Sequence, residues 1–164
     1  MHARRFLAAQ SIALVLPGVP AVYIHSLLGS RNWNDGVKLT GRARTINREK
    51  LDMKTLVAEI EDPETFRYRV FTLYKRMIQV RREQPAFHPK AGFEVLTVSS
   101  KVFVIIRFNG GRKVVAATNI ASNHVTIELS GEVAGPANDL LTGRQFASGR
   151  VTLAPYEVIW LMPA

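Results

Sequence analysis

The sequence contains no cysteine. That excludes disulfides and thiolate metal sites and leaves the redox compartment undetermined. No histidine stands with a second histidine or an acid at a metal-ligand spacing, so no metal site is expected. No apolar run approaches the roughly 20 residues that span a bilayer. The N-terminus has the order of a signal peptide, with Arg4 and Arg5 ahead of an apolar run. Gln10 and Ser11 interrupt that run, Pro17 and Pro20 break it, and no small-x-small cleavage site follows. The cytoplasm is therefore the expected location. Acids are scarce: 13 Asp and Glu face 22 Lys and Arg, for a net charge of +9. A polyanionic partner is one reading of that excess. The favoured one is the basic part of a larger and more balanced surface, with neither nucleic acid nor a membrane as partner.

What is present reads as two regions, 1–88 and 89–164. Residues 3–15 form a helix whose broad apolar face holds Phe6, Leu7, Ala9, Ile12, Ala13 and Leu14. Pro17 and Gly18 stop it. Ala21, Val22, Tyr23 and Ile24 follow with nothing polar between them, the pattern of a strand buried on both faces in a parallel sheet. Residues 25–59 are a long, polar, Arg-rich connection, and long loops of that kind are uncommon unless functional. Asp62, Pro63 and Glu64 are the start signal of a helix that runs to Glu83, before Pro85. Phe66, Val70, Leu73, Met77 and Val80 form its apolar stripe, widened by Phe71, Tyr74 and Ile78. Arg67, Arg69, Lys75, Arg76, Arg81 and Arg82 take the remaining surface. That wide stripe argues core packing over membrane or nucleic-acid binding.

After Pro89 the period shortens. Strands are expected at 93–98, 102–108, 113–119, 125–129, 151–153 and 157–161, with Asn109-Gly110-Gly111 as a hairpin turn and a further turn at Thr142-Gly143. This spacing predicts an antiparallel sandwich, with Phe108 and Trp160 in its core.

The stretch from Leu16 to Tyr23 (Leu-Pro-Gly-Val-Pro-Ala-Val-Tyr) resembles the alpha-amylase superfamily, glycoside hydrolase family 13, at the approach to the eighth strand of its barrel. His25-Ser26-Leu27-Leu28-Gly29-Ser30-Arg31-Asn32, and later Gly41-Arg42-Ala43-Arg44-Thr45-Ile46-Asn47-Arg48, are similar to its sucrose phosphorylase branch. The resemblance runs through nearly the whole chain but covers only the last third of such an enzyme. A complete (β/α)8 barrel needs about 250 residues, and this chain has 164. The implied fold class is an α+β fragment. Residues 1–88 are the last β/α unit of the barrel (helix 7, strand 8, substrate loop, helix 8), and 89–164 are the all-β antiparallel sandwich.

Retaining glycosyl transfer uses two carboxyl groups about 5 Å apart. In the family these follow the fourth and fifth strands, with a further Asp after the seventh, and the chain begins beyond all three. Asp35, Glu49 and Asp52 are the acids of the connecting loop and match none of those motifs. No catalytic residue and no cofactor are expected. Binding chemistry remains. Guanidinium groups hold phosphate in a bidentate fork that Lys does not reproduce. By the resemblance, Asn47 and Arg48 line the acceptor and phosphate side of the site, and Arg48 is the phosphate ligand. His25 faces the barrel mouth from the end of the strand, and Arg31 and Asn32 complete the substrate-binding set. Arg42 and Arg44 read as solvated, and Trp33 is a candidate for stacking on a sugar ring.

The implied parent cleaves an alpha-glucoside with inorganic phosphate to give glucose 1-phosphate, with retention. Taken alone, the chain is expected to be inactive and to need the missing N-terminal barrel part, or self-association, to cover its apolar surface. The alternative is a non-catalytic carbohydrate-binding or structural β-sandwich module.

Overall fold

A computed structural model describes residues 2–163, without the His2 side chain. Met1 and Ala164, the outer limits of the two expected regions, lie outside the described residues. The chain divides into two compact units. One comprises Met1–Pro20 with Arg76–Ala164, and the other is Ala21–Lys75.

In the first unit, helix α1 (His2–Val15) buries Leu7, Ala8, Ser11, Leu14 and Val15, positions that share one side at helical period. Ser11 sits inside this stripe because its hydroxyl accepts the indole N–H of Trp160 at 3.2 Å. Eight strands follow among the described residues: β1 (Gly92–Ser99), β2 (Val102–Asn109), β3 (Arg112–Asn119), β4 (Val125–Glu128), β5 (Ala137–Asp139), β6 (Gln145–Phe146), β7 (Arg150–Leu153) and β8 (Val158–Pro163). Six pair in the order β1-β2-β3-β8-β5-β6, and β4 pairs with β7. All the pairings are antiparallel.

The two sheets bury a shared core. Val102, Val104, Ile106, Val115, Ala117, Ile159 and Leu161 of the larger sheet meet Ile127, Val151 and Leu153 of the smaller. The opposite face of the larger sheet is also covered. Ile105, Ala116 and Trp160 pair across it and are buried, with Phe87 stacked on Trp160 at 4.9 Å between centroids. Strands β2, β3 and β8 thus lack the apolar-polar alternation of a sheet with one wet face. The β2–β3 turn is the two-residue loop Gly110-Gly111 between the paired Asn109 and Arg112. Both glycines have positive φ, 54° and 78°, as a type I′ hairpin requires.

Arg107 points into the covered face and is fully buried. It donates to Val15 O at 2.8 Å, His88 O at 3.0 Å and Gly92 O at 3.4 Å. Arg81, also buried, donates to Leu14 O and to Gly18 O. Burial, and then the charge of Arg107, lowers the pKa of Arg81. The expectation of Arg81 as helix surface is thus corrected: its long side chain covers the carbonyls released at the end of α1.

In the second unit, the expected strand at 21–24 does not form. Residues 19–23 carry no regular structure, and α2 (Ile24–Leu27) begins where the strand would end. Among the described residues no strand precedes Gly92. A strand exists through hydrogen bonds to a neighbour, and without one Val22, Tyr23 and Ile24 remain exposed. Of the expected β/α unit the two helices are present and the strand is not seen among the described residues; what is seen is α+β with an antiparallel sheet. The connection 25–59 is not structureless either. It holds α2, α3 (Asn34–Thr40), a 3₁₀ turn (Ala43–Asn47) and most of α4 (Met53–Glu61). Gly41 ends α3 with φ 65°, and Asp52 caps α4 by accepting Thr55 N–H at 2.9 Å.

Helix α5 (Phe66–Glu83) starts later than the Asp62-Pro63-Glu64 signal. Thr65 is its working cap, accepting Tyr68 N–H at 3.0 Å, while Asp62 terminates α4. Pro85 ends α5 as expected and opens a 3₁₀ turn. Two details of the sandwich also differ. The short β5 and β6 carry too few residues to show a period. Phe108 is 46% exposed, because it lies on Gly92, where an added Cβ would come within 2.2 Å of its ring.

Replacing Arg107 with Met should leave the carbonyls of Val15, His88 and Gly92 without their donor and cost about 3 kcal/mol. Urea denaturation of the purified chain measures it.

Candidate functional site

The expected site residues all fall in the second unit, and two hydrogen-bond tethers organise them. Trp33 N–H donates to Ile46 O at 2.7 Å, joining the strip Arg31-Asn32-Trp33 to the 3₁₀ turn that leads into Asn47 and Arg48. The Tyr23 hydroxyl donates to Asn47 O at 2.7 Å, and its ring lies 5.3 Å from that of His25. Tyr23 therefore links His25 to Asn47. Three separated segments are thereby held as one group.

Within it, Arg31, Asn32, Asn47 and Arg48 are exposed, and His25 is half-buried. The Arg31 guanidinium sits over the Phe66 ring at 5.8 Å, a cation–π contact that biases its direction. Arg48 closes the 3₁₀ turn through its backbone N–H to Thr45 O at 3.0 Å, leaving its side chain outside the turn. Arg42 and Arg44 are exposed on the same turn. Among the described residues none of these four arginines forms an ion pair, so their cationic heads are available to an anion.

The support beneath this surface was not read from the sequence. His25 Nδ1 lies 3.1 Å from Ser30 Oγ. Arg67 on α5 reaches Ser30 Oγ at 3.0 Å and Leu28 O at 3.0 Å, and its Nε donates to Glu59 Oε2 at 2.5 Å. Arg67 was expected on the helix surface, yet its side chain is only 17% exposed. Arg67, Ser30, Glu59 and Tyr23 are the missed members of the group. Their separation in sequence gives no signal; the close approach at Gly29, where an added Cβ would meet Val70 at 3.0 Å, sets the α2 turn against α5 along with the Arg67 bonds. Trp33 is half-buried and packs against its own helix. Its indole lies across Gly36, where a Cβ would approach to 2.1 Å. No helix among the described residues is long and apolar enough to cross a membrane.

Comparison with known proteins places the whole chain. It is 36% identical to the glucosylglycerate phosphorylase of Spirochaeta thermophila, across 99% of the chain and 30% of that protein. It is 38% identical to the glucosylglycerate phosphorylase of Escherichia coli K12, across 96% of the chain and 28% of that protein. A sucrose 6(F)-phosphate phosphorylase of Thermoanaerobacterium thermosaccharolyticum matches at 36% identity over 51% of the chain and 16% of its own length. The chain thus resembles part of the phosphorylases on the sucrose phosphorylase branch of the alpha-amylase superfamily. It spans only about 30% of the glucosylglycerate phosphorylases it matches.

Solved structures of that superfamily share the fold. An Anoxybacillus alpha-amylase superposes with a TM-score of 0.70 at 18% identity, over 98% of the chain and 33% of the amylase. The A258V variant of the trehalulose synthase MutB superposes with a TM-score of 0.73 at 16% identity, over 98% of the chain and 38% of MutB. No family model matches the chain.

Two outcomes follow from this geometry. Gly36→Ala should push the Trp33 indole toward water while Trp160, fully buried, stays put, giving a red shift in tryptophan emission. The Asp52 pKa is lowered from the usual 3.8, first by the backbone N–H of Thr55 and then by its hydroxyl. A depressed carboxylate stabilises the fold above its unfolded pKa and loses that contribution as pH falls through the folded value. The α4 N-terminus should therefore fray below about pH 4, read as faster exchange of the Thr55 amide.

Proposed function

We propose that the chain is the C-terminal part of an alpha-glucoside phosphorylase, with glucosylglycerate favoured over sucrose as the glucosyl donor. One observation carries this reading: the glucosylglycerate phosphorylases align along 96–99% of the chain, whereas the sucrose 6(F)-phosphate enzyme aligns along 51%. In the proposed reaction a carboxylate attacks the anomeric carbon and a second carboxyl group protonates the departing glycerate oxygen. Phosphate then displaces the enzyme carboxylate, yielding glucose 1-phosphate with retention. Both carboxyl groups belong to the part of the relatives that this chain does not cover.

In this reading residues 21–24 become the eighth barrel strand once neighbours supply its hydrogen bonds, residues 1–88 complete the barrel, and 89–164 cap it. Arg48 holds the phosphate. Asn47, His25, Arg31 and Asn32 bind the acceptor side, and the location is cytoplasmic. The exposed Val19, Val22 and Ile24 are the apolar surface that the preceding part would cover. A free-standing carbohydrate-binding sandwich has less support. Its exposed aromatics Phe93 and Phe108 lie on opposite faces of the sheet, since Phe93 pairs with Arg107 while Phe108 pairs with Gly92.

The test is phosphorolysis. The purified chain, given glucosylglycerate or sucrose with inorganic phosphate, should release no glucose 1-phosphate. Co-expression with the barrel part of the Escherichia coli relative should restore release from glucosylglycerate. In that assembly Arg48→Ala should raise the phosphate KM at least 10-fold, about the strength of one charge-assisted hydrogen bond. Phosphorolysis by the chain alone would overturn the reading.

A further inference from the structure

Arg67, Ser30 and His25 form a directed chain of hydrogen bonds. A guanidinium has donors and no acceptor, so its Nη1, 3.0 Å from Ser30 Oγ, must give a hydrogen to that oxygen. The Ser30 hydroxyl then has one hydrogen left to place, and His25 Nδ1 stands 3.1 Å away. If the imidazole donated instead, Ser30 Oγ would receive two N–H groups and its own hydrogen would have to turn to solvent, to which the half-buried residue is only partly open. Donation from Ser30 to Nδ1 uses the hydroxyl in both directions, and a cation at the head of the chain polarises the hydroxyl into a better donor. Arg67 is fixed for this by Glu59 Oε2 at 2.5 Å and by Leu28 O at 3.0 Å. Tyr23, whose ring lies 5.3 Å from that of His25, has its hydroxyl already committed to Asn47 O.

We propose that Arg67, acting through Ser30, fixes neutral His25 as the Nε2–H tautomer, so that the ring presents a hydrogen-bond donor to a ligand oxygen. Which tautomer a histidine carries is set by the partner of its other nitrogen. The ligand class, a hydroxyl of the glycoside or an oxygen of phosphate, rests on the function proposed above, and the tautomer does not. Arg67 and Ser30 are positioning residues here, and His25 is the contact.

The measurement is a long-range ¹H–¹⁵N correlation spectrum of the labelled 164-residue chain at about pH 8.5, where imidazole is neutral. His25 should show one tautomer, with the proton on Nε2 and Nδ1 bare. Ser30→Ala should lose that single signature and give an exchanging mixture, and Ser30→Thr, which keeps the hydroxyl, should restore it. Arg67→Met, which frees Ser30 Oγ to accept from Nδ1–H, should also give a mixture. The amide spectrum of the sandwich serves as the folding control. A proton on Nδ1 in the wild-type chain, or a mixture there, would overturn the inference even if no variant folds. So would a folded Ser30→Ala chain that kept the wild-type signature. Failure of co-expression to restore phosphorolysis would sink the functional reading and leave the tautomer result standing.

Discussion

The buried guanidinium of Arg107 is the interaction on which the first unit depends. Three carbonyls, those of Val15 and of the distant but mutually close His88 and Gly92, converge on it. They mark the end of α1, the turn after α5 and the first residue of β1. Arg81 extends the arrangement by taking Leu14 O and Gly18 O. Among the described residues neither arginine has a carboxylate partner, so these are charge–dipole bonds in place of ion pairs. Removing a donor costs more than the bond was worth, because each orphaned carbonyl then stays dry. The helix end, the turn and the sheet are thus committed to one another.

The sandwich was legible because its signals are local. Asn109-Gly110-Gly111 specifies a hairpin, and the apolar residues of β2, β3 and β8 can do little but pair and be covered. The residues flanking the unpaired segment were misread for a reason of the same kind. Val22 and Ile24 carry the composition of a strand, but composition does not supply the neighbour. Thr65 displaced Asp62 as the cap of α5 because Asp62 was already serving the end of α4. The candidate site was readable only at its surface: Arg48, Asn47, Arg31, Asn32 and His25 sit on quoted motifs. The frame that holds them, Tyr23, Ser30, Glu59 and Arg67, depends on contacts between residues up to 39 positions apart, as from Arg67 to Leu28. No periodicity encodes such contacts.

The second unit uses charge differently. Its arginines divide into one that is enclosed and several that are open. Arg67 spends its donors on a carboxylate, a carbonyl and a hydroxyl, and so holds still. Arg42, Arg44 and Arg48 project from a short turn with no counter-ion among the described residues. A rigid base beneath a set of unspent cations is what recognition of an anionic oxygen requires, because the cost of ordering the base has been met before the ligand arrives.

Peptide carbonyls, unlike carboxylates, do not titrate and have no counter-ion to exchange. The clasp around Arg107 therefore has no acidic weak point and little for salt to screen, whereas the link between Arg67 and Glu59 and the Asp52 cap both rely on ionised acids. Protonating Asp52 would release the start of α4 and leave the contacts of Arg107 as they are. Which oxygen an arginine holds thus decides whether that contact answers to acid.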